Sequence, residues 1–212
     1  QALQGPAPVS LRLNPRKTGQ GLALRPVPWA TAAYYLPQRP VFTLDPLFHG
    51  GQYYVQEAGS MLLEQALRQA TDLSANLRVL DLCGAPGGKT THIASLLSKG
   101  ALLVSNELIG KRAQVLYENV VKWGHDNVLV TQDETAAFAR LPGFFDVVVA
   151  DAPCSGEGLF RKDAQAIQEW TAPQAQQCAR LQQDILRTVW PALKQGGILI
   201  YSTCTYNPAE NW

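Results

Sequence analysis

Two of the four cysteines in this chain stand where covalent chemistry is possible. Cys154 follows an acid and a proline in DAPCSGEGLFRKD (Asp151–Asp163), and Cys204 sits in YSTCTYNPAEN (Tyr201–Asn211). A thiolate is a strong nucleophile, and a second thiol or an acid beside it can move the protons that covalent catalysis requires. The other two have blander settings. Cys83 lies in a glycine-rich turn, and Cys178 lies among apolar residues at helical spacing, where a thiol is a small core residue. The four thiols form no CxxC pair and only three histidines accompany them, so no metal site is expected. No disulfide framework is expected in a chain of 212 residues that opens QALQGPAPVS, without the basic head and apolar stretch of an export signal. The cytoplasm is the expected compartment.

A second constellation is DLCGAPGGKT (Asp81–Thr90), an acid, three glycines and a lysine in ten residues. Glycines let backbone amides approach a ligand closely, at a helix start that favours negative charge. A phosphate-binding P-loop would need glycine at position 83, which is Cys83, and Gly84-Ala85-Pro86-Gly87 does not supply the GxGxxG of a dinucleotide site. Glu107 can accept hydrogen bonds from both hydroxyls of a ribose, and Asp133, beside Glu134, stands where an acid or its backbone can meet an adenine. The set suits adenosine without phosphate, which describes S-adenosylmethionine. The cofactor set is therefore Cys83, Gly84, Ala85, Pro86, Gly87, Gly88, Lys89, Glu107 and Asp133, with Asp151 joining it.

The elements that must hold these residues alternate along the chain. Short apolar runs at Leu77–Cys83, Ala101–Glu107, Asn127–Thr131, Phe145–Asp151 and Gly196–Cys204 read as buried strands. Helical patterns at Lys89–Lys99, Ile109–Lys122 and Pro173–Leu193 separate them, and Gln56–Ala70 reads as an amphipathic helix before the first. Strands without polar alternation, joined through helices, predict an α/β, Rossmann-like fold with a mostly parallel sheet. Ligands of such sheets sit beyond the carboxyl ends of the strands, where Asp81, Glu107, Asp133, Asp151 and Cys204 all fall. Residues 1–50 differ: proline-rich, with short extended pieces such as Val9–Leu13, they read as a small N-terminal α/β appendage to a catalytic domain over 51–212. The appendage carries Arg12, Arg16, Lys17, Arg25 and Arg39 against Asp45 alone, a balance of +4, and the rest of the chain sums to −3. A surface facing nucleic-acid phosphate and a merely solvated arm are equally good readings of that asymmetry. No apolar run reaches the ~18 residues that a membrane span needs.

Taken together, APGGKT, DAPC and STCT in this order resemble the Sun-type family of RNA cytosine-C5 methyltransferases. GEGLFRKD and YYVQEAGSMLLEQAL (Tyr53–Leu67) look most like the branch that acts on bacterial 16S ribosomal RNA. The likeness covers Gln52–Trp212 well and residues 1–50 loosely. It implies an S-adenosylmethionine methyltransferase fold, Cys204 of the TCT motif as the nucleophile that adds to carbon 6 of cytosine, and Cys154 as the thiol that helps release the product. It further implies that Asp151 hydrogen-bonds the cytosine edge, and it supports a site role for Lys89, beside cofactor or substrate, against a mere cap of the glycine-rich turn; Arg161 and Lys162 read as facing RNA phosphate or as an exposed basic pair. Tyr34, Tyr35, Phe48, Tyr53 and Tyr54 are available to stack on unpaired bases, although packing accounts for most of them. The substrate would be RNA, ribosomal or transfer, with an unpaired or flipped-out cytosine, and the enzyme a monomer.

Two departures stand out. Gly84 replaces the first alanine of the family's CAAPGGK, and sheets of this type usually add an antiparallel pair of strands after the STC strand, so more sequence is expected beyond Trp212. Alternatives stay open. Pro153–Cys154 resembles the nucleophile of DNA cytosine-C5 methyltransferases, which would exchange the roles of the two thiols. An amino-group methyltransferase would carry (D/N)PP(Y/F) where this chain has Asp151-Ala152-Pro153-Cys154. A non-catalytic RNA-binding fragment is the third reading.

Overall fold

A computed structural model describes residues 5, 7–18 and 21–211; residues 1–4, 6 and 19–20 of the expected appendage and Trp212 lie outside the described residues. The chain divides into two compact units, Pro8–Asp133 and Gln1–Ala7 with Glu134–Trp212.

The first unit opens with β1 (Val9–Leu13), β2 (Ala33–Leu36), the short helix α1 (Pro46–His49) and β3 (Tyr53–Val55), the strands forming an antiparallel sheet of order β2-β1-β3. The period of two in VSLRL divides β1 into faces. Leu11 and Leu13 pack with Tyr53, Phe42 and Phe48, while Ser10 and Arg12 face the other way and are equally buried. Arg12 is 1% exposed. Its guanidinium donates to Gln56 Oε1 at 3.0 Å, Thr91 Oγ1 at 2.7 Å and the Gly88 carbonyl at 3.3 Å, and lies 4.6 Å over the Trp123 ring. Burial lowers its pKa to about 9. The phosphate-facing reading of the basic segment therefore fails at Arg12. A three-stranded sheet cannot bury both faces by itself, so its polar face packs on the helix that follows the glycine-rich loop. Lys17 is also engaged, donating to the carbonyls of Gly50 at 2.8 Å and Lys122 at 2.5 Å. Among the aromatics, Phe48 and Tyr53 pack together, and the Tyr53 hydroxyl donates to Asp45 at 2.7 Å.

The same unit continues through α2 (Leu63–Ala70), β4 (Arg78–Asp81), α3 (Gly88–Leu96), β5 (Leu102–Asn106), α4 (Gly110–Trp123) and β6 (Val128–Thr131), with β4, β5 and β6 parallel and β5 central. The helix expected from Gln56 begins only at Leu63, after a 3-10 turn over Gly59–Leu62, because the Gln56 amide still pairs with Ser10 of the sheet. Between α2 and α3 a buried polar group replaces apolar packing. The Glu64 carboxylate accepts from Thr31 N at 2.9 Å, Thr31 Oγ1 at 2.5 Å, Arg68 Nε at 2.8 Å and His92 Nε2 at 2.9 Å.

Burial holds His92 down to about 4, with the Arg12 charge adding to the effect, and burial likewise lowers His125 to about 4. Both rings bind a proton more readily in the unfolded chain, at the ordinary imidazole value of 6.5, than in the fold. Stability is therefore full above pH 6.5 and falls as the pH drops from 6.5 through 4, His92 alone accounting for roughly 3 kcal/mol at the acid end. Urea midpoints at about pH 7.5 and about pH 5 should show this loss. A flat profile, or one unchanged in a His92→Gln, His125→Gln variant, would refute it.

In the second unit, α5 (Thr135–Phe138), β7 (Phe145–Asp151), α6 (Ala164–Glu169), α7 (Ala172–Val189) and β8 (Leu193–Ser202) follow in order. A parallel pair needs a crossover, and α7 supplies it. Thr171 caps its start, Pro173 occupies its first turn, and Ala175, Ala179, Gln182 and Val189 form its buried face. The helix expected to reach Leu193 stops at Val189, in a 3-10 turn whose second residue is Pro191, since proline has no N–H to continue the ladder. Helix α6, unforeseen, is capped by Asp163 accepting from Gln165 N. β7 and β8 pair in parallel with Asp151 beside Ser202, so the segments carrying Cys154 and Cys204 leave the pair at one level.

Candidate active site

Beyond that level the two thiols meet. Cys154 Sγ lies 3.2 Å from Cys204 Sγ, and the Cys204 backbone N–H points to Cys154 Sγ at 3.4 Å. Cys204 is exposed and Cys154 half-buried. The hydrogen bond from the Cys204 thiol draws Cys154 down to about 6 against the cost of burial, helped by the backbone N–H groups of Cys204 and Gly156. The same bond, with burial and the charges of Cys154 and Asp151, pushes Cys204 up. The two thiols titrate as a pair, with the environment favouring the thiolate at Cys154 over Cys204. The segment between them is tight. The Gly158 amide donates to the Cys204 carbonyl at 2.5 Å, and a Cβ on Gly158 would collide with that oxygen. Asp151 Oδ1 accepts from Ser202 Oγ at 2.8 Å.

Behind this pair lie Ser155, Gln182, Thr205 and Glu210, none of them given a role by the sequence. Glu210 Oε2 accepts from Ser155 N at 2.9 Å and Gln182 Nε2 at 2.9 Å, Oε1 accepts from Ser155 Oγ at 2.5 Å, and Ser155 Oγ is 3.1 Å from Thr205 Oγ1. Ser155 directly follows Cys154 and Thr205 directly follows Cys204, which was the available signal. Arg161 donates through Nε to the Gly5 carbonyl at 2.9 Å, and Lys162 is exposed.

In the first unit the glycine-rich loop is tied down from α4: Arg112 Nη2 donates to the Ala85 carbonyl at 3.1 Å and Asn119 Nδ2 to the Pro86 carbonyl at 2.8 Å. Both are ordinary polar residues in sequence; their spacing of seven on one helix face was the only clue. Cys83 and Lys89 are half-buried, Lys89 in the first turn of α3, and Gly87, with no side chain to cap α3, precedes it. At the end of β5, Glu107 is buried; its Oε1 accepts from Ile109 N at 3.0 Å, and Arg112 lies 3.4 Å from Oε2. Asn106, missed in sequence, clamps the neighbouring loop, accepting from Asp133 N at 2.9 Å and donating to Asp133 O at 3.0 Å, while the Asp133 side chain is exposed. A carboxylate with spare lone pairs beside a loop of close backbone amides fits the ribose and amino-acid ends of S-adenosylmethionine.

Gly84 has a local cause. A Cβ there would collide with Ser105 Oγ, which is bonded to Thr90 Oγ1 at 2.9 Å, and would lie 3.0 Å from Thr90 Oγ1. The serine under the loop occupies the space that an alanine at position 84 needs. Gly84→Ala is expected to cost about 1–3 kcal/mol of stability, and adding Ser105→Ala to recover much of it. Strictly additive losses in urea unfolding would reject this account.

Residues 69–212 match the family model described as 16S rRNA methyltransferase RsmB/F, and residues 1–58 match the N-terminal domain of 16S rRNA methyltransferase RsmF. The chain belongs to the RsmB/F family. It is 37% identical over 226 residues to ribosomal RNA small subunit methyltransferase F of Escherichia coli O157:H7, covering 99% of this chain and 47% of that protein. The protein of the same name from Pectobacterium atrosepticum is 37% identical over 227 residues, with 99% and 46% covered. The chain spans about half the length of these curated RsmF relatives. Among solved structures, a methyltransferase homolog from Pyrococcus horikoshii superposes with a TM-score of 0.77 at 31% identity, covering 99% of this chain and 68% of that one. NSun6 from Pyrococcus horikoshii, solved with SFG, gives 0.71 at 28%, covering 86% and 46%. The resemblance read from the motifs is borne out, and the fold is that of the Rossmann-like S-adenosylmethionine-dependent methyltransferases. Among the described residues no helix is long and apolar enough to cross a membrane.

Proposed function

We propose that this RsmB/F-family chain methylates carbon 5 of a cytosine in small-subunit ribosomal RNA through a covalent adduct on Cys204. The observation that carries this reading is the thiol pair itself: two sulfurs 3.2 Å apart, one exposed and the other half-buried, each within reach of the other's proton. Carbon 5 of cytosine is a poor nucleophile until a thiolate adds at carbon 6. Cys204 reaches outward to make that bond, and Cys154 accepts its proton as the bond forms. After transfer a base removes the carbon 5 proton, the bond between carbon 6 and sulfur breaks, and Cys204 departs as a thiolate. Cys154, protonated by then, stands beside it to return the proton and so helps release the product. Asp151, held by Ser202, offers an acceptor to the amino edge of the base.

S-adenosylmethionine supplies the methyl group when bound. The loop Cys83–Lys89 would hold its amino-acid end, Glu107 its ribose, and the Asp133 backbone, fixed by Asn106, its adenine. Lys89, Arg161 and Lys162 are assigned to substrate. Acting on ribosomal RNA, the protein would work in the cytoplasm, as a monomer. The test is nucleoside mass spectrometry of small-subunit RNA incubated with the protein and labelled S-adenosylmethionine. 5-Methylcytosine is the expected product. Label confined to an exocyclic amino group would favour the amino-group reading, and no transfer to any RNA would leave an RNA-binding fragment.

A further inference from the structure

Glu210, six residues after Cys204 in the same segment and given no role by the sequence, is 4% exposed at the end of the turn Pro208–Glu210 beyond β8. A carboxylate taken out of water must be met by donors, and the donors it finds are informative. Two are the backbone and hydroxyl of Ser155, next to Cys154, and the third is Gln182 of α7, whose Nε2 also donates to the carbonyl of Pro153, on the other side of Cys154, at 2.8 Å. Ser155 Oγ passes the connection to Thr205, next to Cys204. The Tyr201 hydroxyl anchors the turn, donating to the Glu210 carbonyl oxygen at 2.7 Å. We propose that Glu210 is the positioning residue of the thiol pair: its carboxylate holds the Cys154 and Cys204 segments together so that the two sulfurs stay within bonding distance. The inference deepens the function proposed above and rests on that reading of the pair.

A purely electrostatic role makes the opposite prediction. Among the described residues, the titratable groups that act on the pair or feel its charge are Asp151 from β7, Glu210 from the turn beyond β8, Cys178 from α7 and Tyr201 from β8. The charge of Glu210 raises Cys154, but it is the smallest of the influences there, whereas the hydrogen bond from Cys204 that lowers it is the largest. Removing Glu210 therefore has two opposed consequences for Cys154, and loss of alignment outweighs loss of charge.

The experiment is iodoacetamide alkylation of the protein, without RNA or cofactor, as a function of pH, with each cysteine followed by peptide mass spectrometry. Wild-type Cys154 should show a midpoint at about 6. In Glu210→Ala that midpoint should rise by more than about one unit, toward the ordinary thiol value near 8.5. Ser155→Ala, which keeps the backbone donor, should move it the same way by less. A fall in the midpoint would mean that charge, not position, is what Glu210 contributes. An unchanged midpoint in a folded Glu210→Ala protein would reduce Glu210 to a stability residue and overturn the proposal. Should that variant not fold, an unchanged midpoint in Ser155→Ala overturns it equally. With RNA, Glu210→Ala should lose on the order of 10²-fold in kcat with KM for RNA unchanged. Because the alkylation arm needs no substrate, a failure to find 5-methylcytosine would defeat the proposed function without touching this result.

Discussion

Cys204→Ala is expected to lose at least about 10³-fold in methyl transfer, because it removes the exposed thiol proposed to add to the base. Cys154→Ser should behave differently. The nucleophile remains, but the group that takes its proton and returns it at release does not. A covalent complex with RNA should then accumulate and survive denaturing electrophoresis, forming best at higher pH than wild type because Cys204 must lose its proton to solvent. The wild-type rate should fall as the pH drops below about 6, where Cys154 becomes protonated. Labelled RNA with the two single variants side by side decides the assignment. A stable complex with Cys204→Ser and none with Cys154→Ser would exchange the roles, making Cys154 the nucleophile as in the DNA enzymes that its Pro-Cys pair resembles.

Glu64→Ala should be the most damaging substitution away from the thiols. The side chain is 1% exposed and accepts from three residues, Thr31, Arg68 and His92, on three different segments. Those hydrogen bonds hold its pKa well below the usual carboxylate range despite burial. Truncation leaves the buried His92 Nε2–H without its acceptor, whereas Thr31 and Arg68 can turn to water. A buried donor left unsatisfied costs about 1–3 kcal/mol, a substantial share of an ordinary domain's stability. Urea unfolding at neutral pH should show that loss, whereas Glu64→Gln, which keeps the shape and one acceptor oxygen, should lose less. Equal midpoints for wild type and Glu64→Ala would show that water or a shifted neighbour replaces the carboxylate.

Much of this was legible in the linear chain, for reasons that differ by element. β1 and β7 begin and end where their apolar patterns do, since a strand's period of two and its flanking turns are local properties. Helix ends were less legible. α7 stops short at Pro191, a local cue, but the late start of α2 depends on Gln56 pairing with Ser10, forty-six residues away, and no local pattern reports that. Strands β2 and β3 went unread because they are three or four residues long and gain their identity only from pairing with β1. Arg12 shows the same limit for charge. Counted by composition it was part of a basic surface; in the fold it is a buried donor clamped to α3, because burial is a property of packing and not of residue type.

The thiols mark the boundary between the two kinds of information. Sequence alone named Cys154 and Cys204, the glycine-rich loop and Glu107, since motifs of this kind are contiguous and chemically constrained. The residues by themselves left the two thiols exchangeable and only the resemblance gave them roles, because what differs between the sulfurs in the fold, such as the Cys204 backbone N–H that points to Cys154, joins positions fifty residues apart. Ser155, Gln182, Thr205 and Glu210 became visible for the same reason. Hydrogen-bond partners of a buried carboxylate are chosen by geometry in three dimensions, and only the folded chain brings them within 3 Å of it.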